Sequence, residues 1–308
     1  MSHEITRRGL GPMTVAAAAA ALVAHPARAA AAPSETRLIP AQTSWITPPV
    51  TSATEGMADV GEARLAYWDT GGSGPALVLL HPATGSKDIW AYQRGVFAAA
   101  GYRVVGYSRR GHAGSERGPD GTTVSAADDL KALVDHLGID RFHILGSAAG
   151  GFVVPDFALS YPERLLSLTI ACSQGGGTDP DYRASIRRIS APGFSDMAAS
   201  FRELGPSYRA ANPEGTAAWE ALEQASKHGA RIRQPSRNDI TGEALSRIQT
   251  RALLFTGSAD LYSPPAVMRQ YASHLPNVRT AVIAEAGHSA YWEQYEAFNS
   301  LVLEFLRA

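Results

Sequence analysis

Short apolar runs recur along the chain from about residue 57, and most of them are rich in Val, Ile and Leu. Gly, Pro and polar residues bound the runs, which is typical of β-strands. Inside each run the apolar residues are nearly continuous, as expected for strands that are buried on both faces of a sheet. The predicted strands cover residues 63–68, 76–81, 102–107, 141–145, 166–172, 251–255 and 279–284.

Amphipathic helical patterns lie between these runs. Residues 125–138 open with Ser125 and Asp128 in the spacing of a capping box, and Gly138 suits the helix end. A second pattern closes the chain at residues 291–306. In both, apolar residues recur at intervals of three and four, which makes one apolar stripe. Strands that alternate with such helices predict an α/β fold, with a mostly parallel central sheet flanked by helices.

Residues 175–249 interrupt this alternation. They contain no convincing strand pattern, but they include helix-like pieces such as "FSDMAASFREL" and "GTAAWEALEQASK". We therefore predict a helical cap at 175–249, inserted into a core formed by residues 57–174 and 250–308. Open α/β sheets bind ligands at the carboxyl ends of their strands, where such a cap would lie.

The first residues differ in kind from the rest. Arg7 and Arg8 precede a weakly apolar run at residues 13–24 and a small-x-small end at residues 27–29. A membrane-spanning helix needs about 20 apolar residues, so the run is too short to be a stable anchor. We predict a twin-arginine-type export signal at residues 1–29, with a disordered Ala-rich tail as the alternative. The twin-arginine export machinery would then be a partner and the location periplasmic or secreted, with residues 30–56 as an extended leader.

Composition narrows the function classes. There are 28 basic and 29 acidic residues, so the chain lacks the positive charge that marks a nucleic-acid-binding protein. The single cysteine, Cys172, excludes an intramolecular disulfide and a cysteine-based zinc cluster, and its place at the end of an apolar run predicts a core thiol. No metal-ligand motif is present, and His228 in the cap is expected at the surface.

The stretch "HILGSAAGGF" at residues 143–152 has the pattern of a strand, a sharp turn and a helix. Many hydrolases mount a nucleophile on such a turn, with the spelling G-x-S-x-G. The frame from Gly146 to Gly150 puts Ala148 in the central position. Ser147 is one place early, and it would be the nucleophile only if the glycine frame were shifted.

Two further candidates follow predicted strands. "RALLFTGSADLYSPP" offers Asp260 after one strand, and "RTAVIAEAGHSAYWE" offers His288 after the next. A histidine can act as a general base when an aspartate fixes its tautomer and stabilises the imidazolium. Glu285 and Asp181 are the competing carboxylates.

From residue 57 to 308, the motifs and their order resemble the α/β-hydrolase fold family, in its capped esterase and lactonase branch. The resemblance implies a nucleophile position at Ala148, a general base at His288 and a triad carboxylate at Asp260. It implies no cofactor, and a small-molecule ester or lactone as substrate.

Two loop motifs support the resemblance. In "LVLLHPATGSKDIW" the family commonly has His-Gly where this chain has His81 and Pro82. By the match, the backbone N–H of Ala83 and that of Ala149 form the oxyanion hole. "YSRRGHAGS" at residues 107–115 resembles a loop that marks the fold and carries no chemistry.

Ala148 leaves two interpretations open, since a methyl group cannot attack a carbonyl. The chain is either an engineered variant of a serine hydrolase in which alanine replaces the nucleophilic serine, or a natural relative that lost catalysis and binds ligand without turnover. Retention of Asp260 and His288 favours the first, so we expect a carboxylic ester hydrolase in the parent form and near inactivity in this chain. A parent with an aspartate nucleophile, of the epoxide hydrolase or dehalogenase type, is a further alternative, with Tyr182 and Tyr208 as cap tyrosines.

Aromatic side chains near the motifs indicate the kind of substrate. They favour an apolar or aromatic group on the acyl or alcohol side. The expected pocket residues are Trp90, Tyr262, Trp292 and Trp219.

Overall fold

The computed structural model describes residues 36–227 and 232–308. In these residues nine strands form one sheet. The strands are β1 (Arg37–Ile39), β2 (Thr54–Asp59), β3 (Arg64–Asp69), β4 (Ala76–Leu80), β5 (Arg103–Tyr107), β6 (Phe142–Ser147), β7 (Leu165–Ala171), β8 (Ala252–Gly257) and β9 (Val278–Ile283). All seven predicted strands are present, with ends that differ by one or two residues.

The order of strands across the sheet is β1-β9-β8-β7-β6-β4-β5-β3-β2. From β1 to β5 in this order, every neighbouring pair is parallel. Only β3 and β2, at one edge, run antiparallel to their neighbours. The predicted fold class, with a mostly parallel sheet, is confirmed.

The predicted leader needs correction. Residues 30–56 show no strand periodicity, yet β1 lies inside this range and pairs with β9, with Leu38 opposite Val282. β2 crosses the predicted boundary at residue 56 and pairs with β3. Both strands lie at the edges of the sheet. An edge strand is hydrogen-bonded to one neighbouring strand only and buries little apolar surface, so it lacks the apolar run that marks a central strand. The predicted export signal and His228 lie outside the described residues.

Helices cover both faces of the sheet. The helices are α1 (Ala91–Ala99), α2 (Ala126–His136), α3 (Gly150–Ser160), α4 (Pro180–Ile189), α5 (Ala199–Glu203), α6 (Pro206–Ala211), α7 (Pro213–Ser226), α8 (Gly242–Ser246), α9 (Pro265–Ala272), α10 (Ala290–Glu293) and α11 (Tyr295–Arg307). On one face α2, α3 and α9 pack against the strands, and on the other face α1, α10 and α11 do so. No helix of the described part is long and apolar enough to cross a membrane.

The helix ends follow the local chemistry. At the start of α2, the Ser125 hydroxyl accepts from the Asp128 N–H at 3.0 Å, and the Asp128 carboxylate accepts from the Ser125 N–H at 3.2 Å. Gly138 after this helix has φ 64°, the left-handed conformation that ends many helices. The predicted closing helix is divided into α10 and α11, because Gln294 between them has φ −130°.

The segment between β7 and β8 carries α4 to α8. Within its described residues it contains no strand that joins the sheet. Its last part differs from the rest, since Ile240, Leu245 and Ile248 pack into the core beside α9. The helices α5 and α7 approach the carboxyl ends of the strands, where the candidate site lies.

A buried ion pair joins the loop after β5 to α2. Arg110, from the fold-marking loop, is fully buried and donates to both carboxylate oxygens of Asp129 at 2.7 Å. Its Nη1 also lies 3.0 Å from the Glu62 carboxylate. This pair fixes the loop after β5 against α2 and explains why the motif contains an arginine.

We expect Asp129→Ala to lower the free energy of unfolding by about 3 kcal/mol, because the Arg110 charge stays buried without its main partner. Urea denaturation followed by circular dichroism measures the change. Asp120→Ala, which removes the exposed partner of Arg117, is the matched control and should leave the urea midpoint unchanged. An equal shift in both variants would contradict a special role for the buried pair.

Candidate active site

The strand order creates a crevice at the carboxyl ends of β4 and β6. These strands are neighbours, but the chain first leaves β4 toward β5 on one side and later returns to β6 on the other. Loops that leave two adjacent parallel strands in opposite directions open a ligand crevice between them. The loop after β4 carries Ala83, and the turn after β6 carries Ala148 and Ala149.

The turn after β6 is sharp, and Ala148 is its apex. Ala148 has φ 50°, a left-handed conformation that non-glycine residues seldom adopt. Its N–H donates to the Ala171 carbonyl at 3.0 Å, and its carbonyl accepts from the Ser173 hydroxyl at 2.6 Å. Ser147 is the last residue of β6 and is fully buried, so the glycine frame is not shifted.

Close packing explains the small residues around this turn. A Cβ on Gly146 would lie 2.5 Å from the Gly150 carbonyl oxygen. A Cβ on Gly150 would lie 2.2 Å from the Leu80 carbonyl oxygen, and one on Gly151 would lie 2.5 Å from the Ser173 hydroxyl. Contacts this short are sterically excluded, so β6, the turn and α3 can pack against β4 only with glycine at these places.

His288 and Asp260 form a buried pair. His288 Nδ1 lies 2.9 Å from each carboxylate oxygen of Asp260. Asp260 also accepts from the N–H groups of Tyr262 and Ser263 at 2.8 Å and from the Thr256 hydroxyl at 2.9 Å. The Nδ1–H therefore donates to Asp260, and Nε2 is left to act in the cavity that His288 lines.

Burial and charge act in opposite directions on this pair. Burial alone would raise the pKa of Asp260, but the charge and hydrogen bond of His288, with the donors around the carboxylate, hold that pKa below its usual value. Burial alone would lower the pKa of His288, but the charge of Asp260 raises it. The competing carboxylates Glu285 and Asp181 are exposed and do not line the cavity.

The predicted oxyanion donors meet in the same cavity. Ala83 and Ala149 both line it, next to Ala148. Among residues 36–227 and 232–308, the N–H groups of Ala83 and Ala149 have no hydrogen-bond acceptor. Pro82 has no N–H, but the expected donor is the next residue, Ala83. The Pro82 carbonyl accepts from His81 Nδ1 at 2.7 Å, which anchors the loop. Two free N–H groups beside the apex can stabilise a developing oxyanion.

The cavity has a volume of about 310 Å³. Tyr262 lines it as expected and packs against His288, with 4.4 Å between ring centroids and 35° between the ring planes. The expectation for Trp90 and Trp292 is wrong, because both are buried in the core against Tyr291 and Tyr92. Closeness to a motif in sequence does not distinguish a core aromatic residue from one in the pocket.

Three aromatic residues of the cap also lie outside this cavity. Trp219 lines an adjoining cavity of about 480 Å³. Tyr208 is buried and contacts Trp45, and Tyr182 donates its hydroxyl to the Gln174 carbonyl at 3.0 Å. Neither tyrosine reaches His288, so the pair of cap tyrosines that an epoxide hydrolase would need is missing from the described cavity wall.

The cap instead contributes charged residues that the sequence pattern did not reveal. Arg202 and Glu203 at the end of α5 and Glu223 in α7 line the cavity. Charged residues on short helices usually indicate a solvated face, and no motif marks these three. Arg202 Nη1 donates to the Tyr262 hydroxyl at 2.7 Å, which connects the cap to the ring that packs against His288.

Glu293 ties the cap to the loop of the base. Its buried carboxylate accepts from the N–H groups of Gly205 at 2.6 Å, Gly287 at 3.0 Å and Ser289 at 3.2 Å. The Ser289 N–H also donates to the Glu203 carbonyl at 2.9 Å. Burial raises the pKa of Glu293 to about 8, although the three N–H donors act in the opposite direction. The Glu293 side chain thus holds both Gly287 and Ser289, the residues on either side of His288.

A family model described as the alpha/beta hydrolase family matches residues 77–301. The chain belongs to the α/β-hydrolase family.

Individual members of the α/β-hydrolase family are also similar along most of the chain. A 2-hydroxy-6-oxononadienedioate/2-hydroxy-6-oxononatrienedioate hydrolase of Burkholderia vietnamiensis is 33% identical over 277 residues, covering 81% of this chain and 93% of the relative. A 2-hydroxy-6-oxo-6-phenylhexa-2,4-dienoate hydrolase of Comamonas testosteroni is 26% identical, with 79% and 91% covered. The solved structure of a thermophilic esterase from Thermogutta terrifontis has a TM-score of 0.67 at 26% identity, and covers 83% of this chain and 98% of the esterase.

We expect Ala148→Gly to raise the free energy of unfolding by about 1 kcal/mol, because glycine adopts a positive φ without the Cβ clash. Urea denaturation measures the change. Ala132→Gly, inside α2, is the matched control and should lower stability by about 1 kcal/mol. Loss of stability in both variants would contradict the strained apex.

We expect Asp260→Asn to lower the pKa of His288, because the charge that opposes burial is removed. The measurement is an NMR titration of the His288 ring nitrogens. Asp181→Asn, at an exposed position of α4, is the control and should leave the titration of His288 unchanged. An unchanged pKa of His288 in Asp260→Asn would show that the pair is not coupled in solution.

Proposed function

We propose that this chain carries the site of a hydrolase for a small-molecule carboxylic ester or lactone, with Ala148 in the position of the nucleophile. One observation carries the proposal. His288, with Nε2 unengaged in the described residues, and the unpaired N–H groups of Ala83 and Ala149 line one cavity around the apex residue. This is the arrangement that acyl transfer requires, apart from the attacking hydroxyl.

With serine at position 148, the reaction would proceed in two steps. His288 Nε2 would take the serine proton as the hydroxyl attacks the carbonyl, and Asp260 would stabilise the imidazolium. The N–H groups of Ala83 and Ala149 would bind the oxyanion, and the imidazolium would protonate the departing alcohol. Water activated by His288 would then release the acid. This route needs no cofactor.

With alanine at position 148, the chain should be nearly inert by this route. Its intact base, carboxylate and oxyanion donors suit an enzyme from which only the nucleophile has been removed. A natural relative that binds its ligand without turnover is the alternative, and it predicts no gain of activity when serine is introduced. The twin-arginine signal at residues 1–29, and with it a periplasmic or secreted location, stays a prediction.

A second candidate substrate class comes from the relatives. The two dienoate and dienedioate hydrolases act on ketones that carry carboxylates, and Arg202 offers a guanidinium in the cavity wall that could pair with such a group. Much of that guanidinium is engaged, since Nη1 donates to Tyr262 and Nε donates to the Met197 carbonyl at 3.0 Å. Ester or lactone hydrolysis is therefore preferred.

We expect Ala148→Ser to hydrolyse p-nitrophenyl esters about a millionfold faster than the chain as written, since removal of a catalytic serine costs about that factor in kcat. Ala148→Ser with His288→Ala is the control and should lose the gain. Because only neutral His288 can accept the proton, kcat/KM should rise with pH through the raised pKa of this residue. A fluorophosphonate probe should label the serine variant alone.

An inactive and unlabelled Ala148→Ser variant that keeps its fold would overturn the proposal. Ala148→Asp would then test a parent with an aspartate nucleophile. Turnover of a 2-hydroxy-6-oxo dienedioate but of no ester or lactone would favour the second candidate class.

A further inference from the structure

Two carboxylates of the cap are buried in the wall of the candidate active site. Glu203 in α5 is 5% exposed and Glu223 in α7 is 6% exposed, and both line the cavity that contains His288. Burying a carboxylate is costly unless donors satisfy its oxygens. The donors of these two side chains therefore need to be accounted for atom by atom.

Only one oxygen of each carboxylate is satisfied. Glu203 Oε2 accepts from the Ser289 hydroxyl at 3.3 Å. Glu223 Oε2 accepts from Gln224 Nε2 at 2.9 Å and lies 3.0 Å from Lys227 Nζ. Within residues 36–227 and 232–308, Oε1 of Glu203 and Oε1 of Glu223 accept no hydrogen bond from the protein, and neither atom is fully buried. Since both side chains line the cavity, the wall presents two acceptors that a ligand can reach.

The surrounding charges indicate which kind of donor fits. Lys227 balances Glu223, and Arg202 neighbours Glu203, whose pKa is raised above its usual value because burial outweighs the opposing effects of His288 and Arg202. Since each carboxylate has a cation close by, the wall has no large excess of negative charge to attract a cation. A further ionised carboxylate has no hydrogen to donate to Oε1 of Glu203 or Glu223. An uncharged hydroxyl supplies such a donor and needs no excess of negative charge in the wall.

Resting on the hydrolase function proposed above, we propose that the substrate carries a hydroxyl group that donates to Glu203 or Glu223 in the cap. The apolar part of such a substrate has its own surface, since Phe152 and Tyr262 line the same cavity. The candidate substrates are therefore esters or lactones that carry a hydroxyl group on the acyl or the alcohol side. They differ in charge from the dioates in the name of the Burkholderia relative.

The chain as written allows binding to be measured without turnover. Dissociation constants are obtained by calorimetry for two matched pairs of esters, in which a hydroxyl replaces a methyl group of equal size. Ethyl glycolate is paired with ethyl propanoate, and hydroxyethyl butanoate is paired with propyl butanoate. The first pair places the hydroxyl on the acyl side and the second on the alcohol side. Ethyl glycinate and monoethyl malonate present an ammonium and a carboxylate at the same place as the glycolate hydroxyl.

We expect the hydroxyl member of at least one pair to bind about tenfold more tightly than its methyl partner, the effect of one hydrogen bond to a charged acceptor. In Glu203→Gln or Glu223→Gln the preference should fall to about threefold, because a neutral acceptor forms a bond about half as strong. Glu214→Gln, at an exposed position of α7, is the matched control and should keep the tenfold preference. Circular dichroism and the urea midpoint check that each variant folds.

Equal affinities within both pairs, or no measurable binding of either hydroxyl member, would overturn the proposal without any variant. Tightest binding of monoethyl malonate would overturn it in favour of a dicarboxylate, and tightest binding of ethyl glycinate in favour of an amine. Failure of the hydrolase function gives a different result. An inactive Ala148→Ser variant with the hydroxyl preference intact would leave a binding site, whereas an active one without the preference would remove only the role of Glu203 and Glu223.

Discussion

The left-handed turn at Ala148 is the constraint on which the site depends. A non-glycine residue at φ 50° costs on the order of 1 kcal/mol, and such strain persists only where the surroundings hold it. Here the surroundings are three glycines, which let α3 pack on β6 and approach the Leu80 carbonyl at the end of β4. That approach brings the Ala149 N–H beside the loop of Ala83. A larger residue at Gly150 would push α3 away from β4 and separate the Ala149 N–H from the loop of Ala83.

Much of the fold and of the catalytic pair could be predicted, because each depends on local patterns. Buried parallel strands give apolar runs, and parallel strands end at one edge of the sheet, so residues that follow such runs, like Asp260 and His288, meet there. β1 and β2 were missed because edge strands bury one row of backbone bonds and carry no apolar pattern. Glu203 and Glu223 were missed because only tertiary packing decides whether a charged helix residue is solvated or buried. For the same reason Trp90 was expected in the pocket.

The electrostatics of the site come from several carboxylates around one imidazole. In the described part of the chain only Asp260 bonds to the His288 ring, and the donors around Asp260 keep it charged in spite of full burial. Glu293 is held by backbone N–H groups, and Glu203 by the hydroxyl that follows the base. Each of them adds to the rise in the pKa of His288. The basicity of the histidine is therefore a property of both the core and the cap.

The bonds between cap and base restrict how a ligand can enter. Glu203 and Gly205 are tied by backbone groups to Ser289 and Glu293, so lifting this corner of the cap would pull on the loop that holds His288. Opening therefore has to take place elsewhere, where the cap has no bond to that loop. The adjoining cavity beside Trp219 shares Arg202 and Glu223 with the site, and neither Glu203 nor Gly205 lines it. A ligand could enter through this second cavity without displacing His288.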